Sequence, residues 1–421
     1  KQVAKRARQE HYPAPYAILD MWQHYGGNAL AVPADKATSL DAIFRSATTK
    51  NLVRVFFLQE RLKAFGKSDG NAVAPRHIHV VGAGVMGGDI AAGCALRGMT
   101  GTLQDQTIER IAPAIARAAK LFEKKLRDKK AARFVLDRLI PDPQGNGVRQ
   151  ADVVIEAIFE NLDAKRTLFA AIEAQAKPDA ILASNTSSLK LVDIAIALKN
   201  PGRLVGIHFF NPVALMPLVE VVAGAATDPA VAARAAAFVR QIDKLPLPVK
   251  DAPGFLVNAV LAPYLHEAMR CVDEGLAPET VDAAAVAFGM PMGPLELADT
   301  VGLDVAVAAG QQLAAATASG DPAAAATPRR LAALVEGGNL GKKTGRGFYL
   351  YKDGKAQKGA AGSVPTGLAA RLIKPLLAAT QRLVAQGVVA DAELADAGVI
   401  FGTGFAPFTG GPMNYLKEHQ A

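Results

Sequence analysis

The sequence predicts an α/β protein with a doubly wound, mostly parallel sheet, followed by an all-helical C-terminal region and preceded by a helical segment. Between residues 76 and 250, short apolar strands alternate with helical stretches, which is typical of a parallel sheet. From residue 251 onward the pattern is almost entirely helical and rich in Ala and Leu. A chain of 421 residues exceeds one ordinary core, so we expect several domains.

The N-terminal segment, residues 1–75, begins irregularly because "HYPAPY" breaks regular structure. It continues as helices, since apolar Leu52, Val55, Phe56 and Leu62 recur at helical spacing. "SDGNAVAP" then reads as a linker to the sheet. The predicted strands of residues 76–250 are "HIHVV", "TGTLQDQ", "ADVVIEAIFE", "AILASNTSS", "GIHFFNP" and "LVEVV".

Two C-terminal stretches resemble each other, which predicts a duplicated helical unit. Pro263 and Gly275 match Pro375 and Gly387, both at an offset of 112 residues (375 − 263 and 387 − 275). An Ala-rich stretch and "GKKTGRGFYLY" lie between the copies. We therefore predict domains at 1–75, 76–250, 251–350 and 351–421.

The charge distribution and the residue spacing argue against some classes of function. The formal charge is +8, but the basic residues are scattered and their two dense clusters lack interleaved aromatics. We expect solvated helix faces and no nucleic-acid partner, while a phosphate-bearing substrate stays open. No cluster of His, Cys, Asp and Glu has metal-ligand spacing, so no metal is expected.

Two cysteines, Cys94 and Cys271, predict no disulfide framework and suit a reducing cytoplasm or organelle matrix. We see no apolar segment near the start that would indicate a secretory signal. The longest uncharged run, residues 397–416, is interrupted by Gly, Thr and Pro, so no transmembrane helix is predicted.

The motif "GAGVMG" places Gly82, Gly84 and Gly87 in a G-x-G-x-x-G pattern between a strand and a helix. The glycines permit a tight turn, close approach of a pyrophosphate, and packing of helix on strand. Asp105 ends the next strand, 23 residues after Gly82 (105 − 82), where its carboxylate suits a ribose and repels a 2′-phosphate. Arg110 could receive a phosphate but is interpreted as a solvated helix residue. The context predicts a Rossmann-type domain that binds NAD.

His208 and Glu220 are ionisable residues inside the apolar stretch "VGIHFFNPVALMPLVEVV". Burying either group is costly without a partner, so we expect the turn between the two strands to bring them together. A histidine whose second ring nitrogen meets a carboxylate is a suitable base for removing a hydroxyl proton. The other histidines fall in no such constellation.

Seven motifs in this order resemble L-3-hydroxyacyl-CoA dehydrogenase: "GAGVMG", "EAIFENLDAKRTLF", "ASNTSSL", "IHFFNPV", "LVEVV", "DAPGFLVNAVL" and "GKKTGRGFY". The first 75 residues and the duplicated unit resemble a narrower group, the α-subunits of multifunctional fatty-acid oxidation complexes. In that group a hydratase module precedes the dehydrogenase, and this chain keeps only what looks like its C-terminal tail. Hydratase activity is therefore not expected.

The resemblance implies NAD-dependent oxidation of (3S)-3-hydroxyacyl-CoA to 3-oxoacyl-CoA in β-oxidation, in a cleft between the two main domains. It implies His208 as catalytic base, Glu220 as its partner, and Ser187 and Asn258 near the substrate oxygen and nicotinamide. It further implies a substrate contact by Tyr415, and NAD contacts by Met86, Asp105, Glu160, Lys165, Ser187, Asn211 and Lys343. The resemblance allows a thiolase subunit as partner and a bacterial cytoplasm as location. The expected oligomeric state of this fragment is a monomer.

Other interpretations stay open at this point. Ser187 and Asn258 could cap helices, Lys165 and Lys343 could be solvated, and Tyr415 could be a buried aromatic. The chain could also act mainly as a scaffold that docks a thiolase. A third possibility is a Rossmann dehydrogenase for hydroxy acids or sugar acids without CoA.

Overall fold

The computed structural model describes residues 2–4, 7–67, 74–317 and 326–420. The linker "SDGNAVAP" and the Ala-rich stretch between the helical copies lie partly outside these ranges. The described residues fall into two compact units, a sheet unit (residues 61–259 and 385–390) and a helical unit (1–60, 260–384 and 391–421). The four-part division proposed from the sequence stays a prediction.

The strands, in chain order, are β1 (His77–Val81), β2 (Thr100–Gln104), β3 (Leu139–Pro141), β4 (Val153–Glu156), β5 (Ile181–Ser184), β6 (Leu204–Phe209), β7 (Leu218–Ala223), β8 (Leu245–Lys250), β9 (Leu350–Lys352) and β10 (Lys355–Gln357). The helices are α1 (Ala14–His24), α2 (Leu40–Arg45), α3 (Ala47–Ala64), α4 (Val85–Leu96), α5 (Ile108–Leu126), α6 (Lys129–Leu136), α7 (Leu162–Glu173), α8 (Leu191–Ala195), α9 (Pro229–Gln241), α10 (Val257–Asp273), α11 (Pro278–Phe288), α12 (Pro294–Val301), α13 (Leu303–Thr317), α14 (Arg329–Glu336), α15 (Leu368–Ala385), α16 (Ala392–Thr403) and α17 (Pro412–Gln420).

The sheet unit confirms the predicted doubly wound architecture. Its strand order is β3-β2-β1-β4-β5-β6-β7-β8, and all neighbours are parallel except β6 and β7. Central strands β4 and β5 are buried along their whole length, as expected for a sheet covered on both faces. Strands β1, β2, β4 and β5 all point the same way, so the segments after them meet at one edge of the sheet, where ligand-binding residues are expected in this type of fold.

Strand β8 was not predicted. Pro246 and Pro248 lie inside it, and proline removes the amide donor that a central strand needs. The structure tolerates both because β8 is the outermost strand and pairs with β7 alone in the sheet. The short strand β3 at the opposite edge was also missed, since three residues give no clear periodicity.

The helical unit confirms the predicted helical C-terminal region, in which β9 and β10 form one short antiparallel pair. The two similar stretches form helix pairs, α10–α11 and α15–α16. Pro263 and Pro375 each lie inside the first helix of their pair. Gly275 and Gly387, which follow these helices, have φ of 103° and 66°, a region that favours glycine. The matched proline and glycine positions explain why the chain turns at the same place in both copies.

The N-terminal segment is more regular than predicted. Helix α1 begins directly after "HYP" because Pro13 can precede a helix as readily as it can break one. Helices α2 and α3 follow, as the sequence predicts. Across the described ranges, no helix combines the length and apolar character needed to cross a membrane.

Candidate active site

The glycine turn links β1 to α4 and leaves room for a ligand. A Cβ on Gly82, whose φ is 103°, would lie 2.5 Å from the carbonyl oxygen of Ala157. A Cβ on Gly87 would lie 1.9 Å from the carbonyl oxygen of Gly82. A Cβ on Gly84, by contrast, would have no heavy atom within 4 Å. Two glycines thus allow the turn itself, and the third leaves open space at the N-terminus of α4, where a pyrophosphate could approach.

Asp105 follows β2 and lies beside this turn. Its Oδ2 accepts a hydrogen bond from the Ala83 amide at 2.8 Å, and its Oδ1 accepts one from the Gln106 amide at 2.8 Å. Each carboxylate oxygen keeps acceptor capacity, so the group can still bind a ribose diol. Met86, in the first turn of α4, packs against the core of the sheet unit. The open turn and this carboxylate together fit the adenosine half of NAD.

His208 and Glu220 form a buried pair between β6 and β7. The two residues face each other directly in the antiparallel register, and His208 Nδ1 lies 2.7 Å from Glu220 Oε2. Both side chains are almost inaccessible to solvent. Since Nδ1 donates to the carboxylate, Nε2 is the nitrogen that can exchange a proton with a substrate.

The start of α10 satisfies the other oxygen of Glu220. The amides of Leu256 and Val257 donate to Oε1 at 2.9 and 3.0 Å. A buried carboxylate is stable when it receives such donors. The His208 ring also packs edge-on against Phe210 and Phe255, with centroids at 4.6 and 5.5 Å. Hydrogen bonds and aromatic contacts therefore fix the orientation of the imidazole.

Asn211 follows His208 closely in sequence, and Asn258 directly follows the two residues whose amides bind Glu220. Asn258 is the second residue of α10 and half-buried, and it directly follows Val257. Glu220 accepts the two amides that precede Asn258, and Asn258 itself lies inside the first turn of the helix. Asn211 is exposed in the turn between β6 and β7, where its peptide bond to Pro212 is cis.

Ser187 lies in the segment after β5 and is held by Glu160, which follows β4. Glu160 Oε1 accepts the Ser187 amide at 2.7 Å and the Ser187 hydroxyl at 3.2 Å. The hydroxyl of Thr186 lies 3.0 Å from both Glu160 oxygens. Helix α8 begins only at Leu191 and has no side-chain cap, so Ser187 is not its N-cap. The structure thus joins two residues that the sequence suggested separately.

Lys165 is buried in α7, which excludes the suggestion that it is solvated. Its ammonium lies 2.5 Å from Glu156 Oε1 and 3.3 Å from Glu160 Oε2. Glu156, the last residue of β4, also accepts the Ser184 hydroxyl at 2.6 Å and the Ile158 amide at 2.8 Å. Sequence reasoning missed Glu156. The available signal was an acidic residue at the end of an otherwise apolar strand.

Lys343 and Tyr415 belong to the helical unit. The ammonium of Lys343 forms an exposed ion pair with Asp304, at 2.6 Å to each carboxylate oxygen. Tyr415, on α17, packs edge-on against Phe288 at 5.4 Å and stacks on His419 at 4.0 Å. Their predicted contacts with NAD and substrate stay predictions.

A second buried histidine, His79, differs from His208 in its surroundings. It lies on β1, and its Nδ1 and Nε2 are 2.8 and 2.9 Å from Thr102 Oγ1 and Gln104 Oε1. Burial lowers the pKa of His79. With both ring nitrogens engaged, this imidazole has a structural role between β1 and β2.

Known proteins match this chain over most of its length. Residues 77–252 match the family described as 3-hydroxyacyl-CoA dehydrogenase, NAD binding domain, and residues 254–351 match its C-terminal domain. The fatty acid oxidation complex subunit alpha of Pseudomonas entomophila (strain L48) is 36% identical over 439 residues. That alignment covers 97% of this chain and 60% of the relative, so the chain spans about 60% of the length of this curated relative.

Solved structures also resemble the chain, two of them as follows. FadB2 of M. tuberculosis is 38% identical, with a TM-score of 0.62, and the match covers 66% of this chain and 100% of that one. The 3-hydroxybutyryl-CoA dehydrogenase of Escherichia coli K12 is 26% identical, with a TM-score of 0.70. That match covers 83% of this chain and 96% of that one.

Proposed function

Because this chain belongs to the 3-hydroxyacyl-CoA dehydrogenase family, we propose that it oxidises (3S)-3-hydroxyacyl-CoA to 3-oxoacyl-CoA with NAD. Residues 77–252 are its NAD-binding domain. The observation that carries the proposal is the buried contact of 2.7 Å between His208 Nδ1 and Glu220 Oε2. The contact leaves the other imidazole nitrogen available for a substrate hydroxyl. It also places a carboxylate beside the ring, where it stabilises the positive charge that develops when the imidazole takes up a proton.

The proton step uses this pair. The proton of the substrate hydroxyl passes to Nε2 of His208 while Nδ1–H stays hydrogen-bonded to Glu220. The imidazolium that results is stabilised by the carboxylate, whose other oxygen is held by two backbone amides. NAD, when bound, would supply the acceptor for the hydrogen of C3, which leaves as a hydride. The alcohol thus loses one proton and one hydride and becomes a ketone.

Ser187 and Asn258 are proposed to orient the reacting oxygen. Ser187 is already fixed through its amide by Glu160, and its hydroxyl makes the longer bond of 3.2 Å, which is the one it can exchange for a substrate. Preorganised donors of this kind contribute most when they need no rearrangement during the reaction. Tyr415 is proposed to contact the acyl-CoA. The residues proposed to hold NAD are Gly82, Gly84, Met86, Gly87, Asp105, Glu160, Lys165, Ser187, Asn211 and Lys343.

The relatives also support a proposal for the pathway, the location and the partner of this protein. We place the reaction in β-oxidation, within a longer protein of the fatty-acid oxidation complex type in a bacterial cytoplasm. A thiolase subunit is the proposed partner. No hydratase activity is expected from these residues. A preparation without turnover that still bound a thiolase would favour a scaffold role instead.

The experiment follows NADH formation from 3-hydroxyacyl-CoAs of several chain lengths, with NAD and then NADP. We expect turnover with NAD, and a loss of at least about 10²-fold in kcat for H208Q because the base is removed. H79Q is the matched control, since it replaces a histidine equally buried in the same sheet, and kcat should be retained. An H208Q variant with normal turnover, or equal efficiency on free hydroxy acids, would contradict the proposal.

A further inference from the structure

Three charged side chains lie in a row behind Ser187: Glu156, Lys165 and Glu160. The Lys165 ammonium is between the two carboxylates, at 2.5 Å from Glu156 and 3.3 Å from Glu160. Two carboxylates and one ammonium give the row a net charge of −1. The row ends at Ser187, because Glu160 Oε1 accepts both the amide and the hydroxyl of that residue.

The inner end of this row is sealed from solvent. Glu156 is 0% exposed and Lys165 is 1% exposed, whereas the Glu160 side chain is 34% exposed. Glu156 is fully satisfied without water, since Lys165, the Ser184 hydroxyl and the Ile158 amide all donate to it. A charge pair in such surroundings interacts more strongly than one at the surface. Lys165 is therefore held mainly by Glu156.

The unequal distances have a consequence for Ser187. Because Glu156 takes most of the attraction of the ammonium, Glu160 can use Oε1 for Ser187 and present Oε2 to Lys165. If the charge of Glu156 were removed, the ammonium would have Glu160 as its sole carboxylate within this row. Lys165 would then draw Glu160 away from the Ser187 amide and hydroxyl.

We infer that Glu156 is a positioning residue for Ser187, acting through Lys165 and Glu160. This inference rests on the proposed function, in which Ser187 orients the substrate oxygen. Glu156 touches neither substrate nor cofactor in this scheme. Its contribution is to keep the ammonium close to itself, so that Glu160 stays bonded to the Ser187 amide and the hydroxyl remains in place to exchange its own bond for one to the substrate.

The test is a double-mutant cycle with E156Q and S187A. We expect E156Q to lower kcat by about 10-fold with little change in the KM for acyl-CoA, because a displaced orienting group weakens the reaction more than binding. In the S187A background, E156Q should have almost no further effect on kcat, since the residue through which it acts is gone. E156D, which keeps the charge, should recover part of the loss.

D152N is the matched control. Asp152 immediately precedes the same strand, at its opposite end, and its carboxylate also pairs with a lysine, Lys177, at 2.8 Å. D152N makes the same chemical change away from Ser187, so its kcat should equal that of the wild type. Thermal unfolding and the Kd for NADH, measured by fluorescence, are recorded for every variant and separate loss of fold or cofactor from loss of positioning.

E156Q/K165Q covers the case in which E156Q alone does not fold. The double change removes both members of the buried pair and leaves no unpaired ammonium to pull on Glu160. Because Lys165 is also proposed to hold NAD, the KM for NAD should rise in this variant, and kcat is compared at saturating NAD. If Ser187 keeps its orientation, adding S187A to E156Q/K165Q should lower kcat by the same factor as adding S187A to the wild type. Independent, multiplicative effects of E156Q and S187A would overturn the inference, and so would the absence of any further loss when S187A is added to E156Q/K165Q. A normal kcat for S187A would remove Ser187 as the target, whereas a normal kcat for H208Q would overturn the proposed function itself.

Discussion

The two copies of the helical repeat bury an aspartate at the same place. Asp282 and Asp396 are each the fifth residue of the second helix of their copy, in α11 and α16. Asp282 Oδ1 accepts the Leu295 amide at 2.8 Å, and Asp396 Oδ1 accepts the Met413 amide at 2.6 Å. Each of these amides belongs to the first turn of the following helix, α12 or α17. The repeat therefore contains a third helix, which the aspartate caps.

The two copies differ in the cation that meets this aspartate. Asp282 pairs with Lys358 at 2.9 Å and also accepts the Tyr349 hydroxyl at 2.8 Å. Asp396 pairs with Arg54 of α3 at 2.8 Å. The first copy thus takes its partners from the segment that follows it, and the second takes its partner from the N-terminal helices. The N-terminal segment therefore completes the second copy by supplying Arg54 to its buried aspartate.

The largest effect is expected from R54M. Asp396 is 0% exposed, and Arg54 is its one side-chain donor among the described residues. Removing the cation leaves a buried carboxylate, so we expect the free energy of unfolding at pH 8 to fall by about 3 kcal/mol. Urea unfolding followed by circular dichroism measures the change.

K358M in the first copy is the matched variant for R54M. Asp282 keeps the Tyr349 hydroxyl and the amides of Leu295 and Glu296 when Lys358 is lost. The expected loss is therefore smaller, about 1 to 2 kcal/mol. Equal losses for the two variants would show that the retained donors do not distinguish the copies.

The second expected effect is that the stability lost in R54M depends on pH. Burial raises the pKa of Asp396 to about 6, although Arg54 acts in the opposite direction. Because the folded state holds this proton more tightly than the unfolded chain, the stability contribution of the carboxyl falls as pH rises from about 4 to about 6. Without Arg54 the folded pKa rises further. At pH 5 the R54M variant can protonate Asp396 instead of burying its charge.

We therefore expect the destabilisation by R54M to be smaller at pH 5 than at pH 8, by about 1 to 2 kcal/mol. Unfolding curves of R54M and the wild type at both values give the difference directly. D396N/R54M, which has no carboxyl to titrate at this position, should lose this dependence. A penalty that grows toward pH 5 would mean that Asp396 is not the group involved.

The sequence revealed the first two helices of the repeat but not the third. Pro263 and Pro375 are 112 residues apart, whereas Pro294 and Pro412, the first residues of α12 and α17, are 118 apart (412 − 294). Six extra residues in the second copy therefore shift the register before the third helix. A comparison at a fixed offset cannot follow such a shift, although the buried aspartates keep the same function.

In the sheet unit, too, features set by a local sequence pattern could be predicted, whereas contacts between separate elements could not. The glycine turn and the alternating strands could be predicted because periodicity and turn chemistry are local. The pairing of His208 with Glu220 was predictable because two ionisable groups in one apolar hairpin need each other. Glu156 was not found, since its partners Lys165 and Ser184 come from other elements and no local pattern joins them.

The smallest effect concerns the contact between the two copies. Arg371 of α15 reaches α10, with Nη1 and Nη2 at 2.7 Å from the two oxygens of Glu274 and Nε at 2.6 Å from Glu267. Arg371 and Glu274 are more than a third exposed, so solvent weakens the attraction, and R371M should cost about 1 kcal/mol or less. The loss should shrink in 1 M salt, where the screening length is roughly 3 Å.

R45M, which breaks the exposed pair with Asp41 inside α2, is the control and should change stability by less than about 0.5 kcal/mol. A loss for R371M that salt does not reduce would mean that its side chain joins the copies by packing and not by charge.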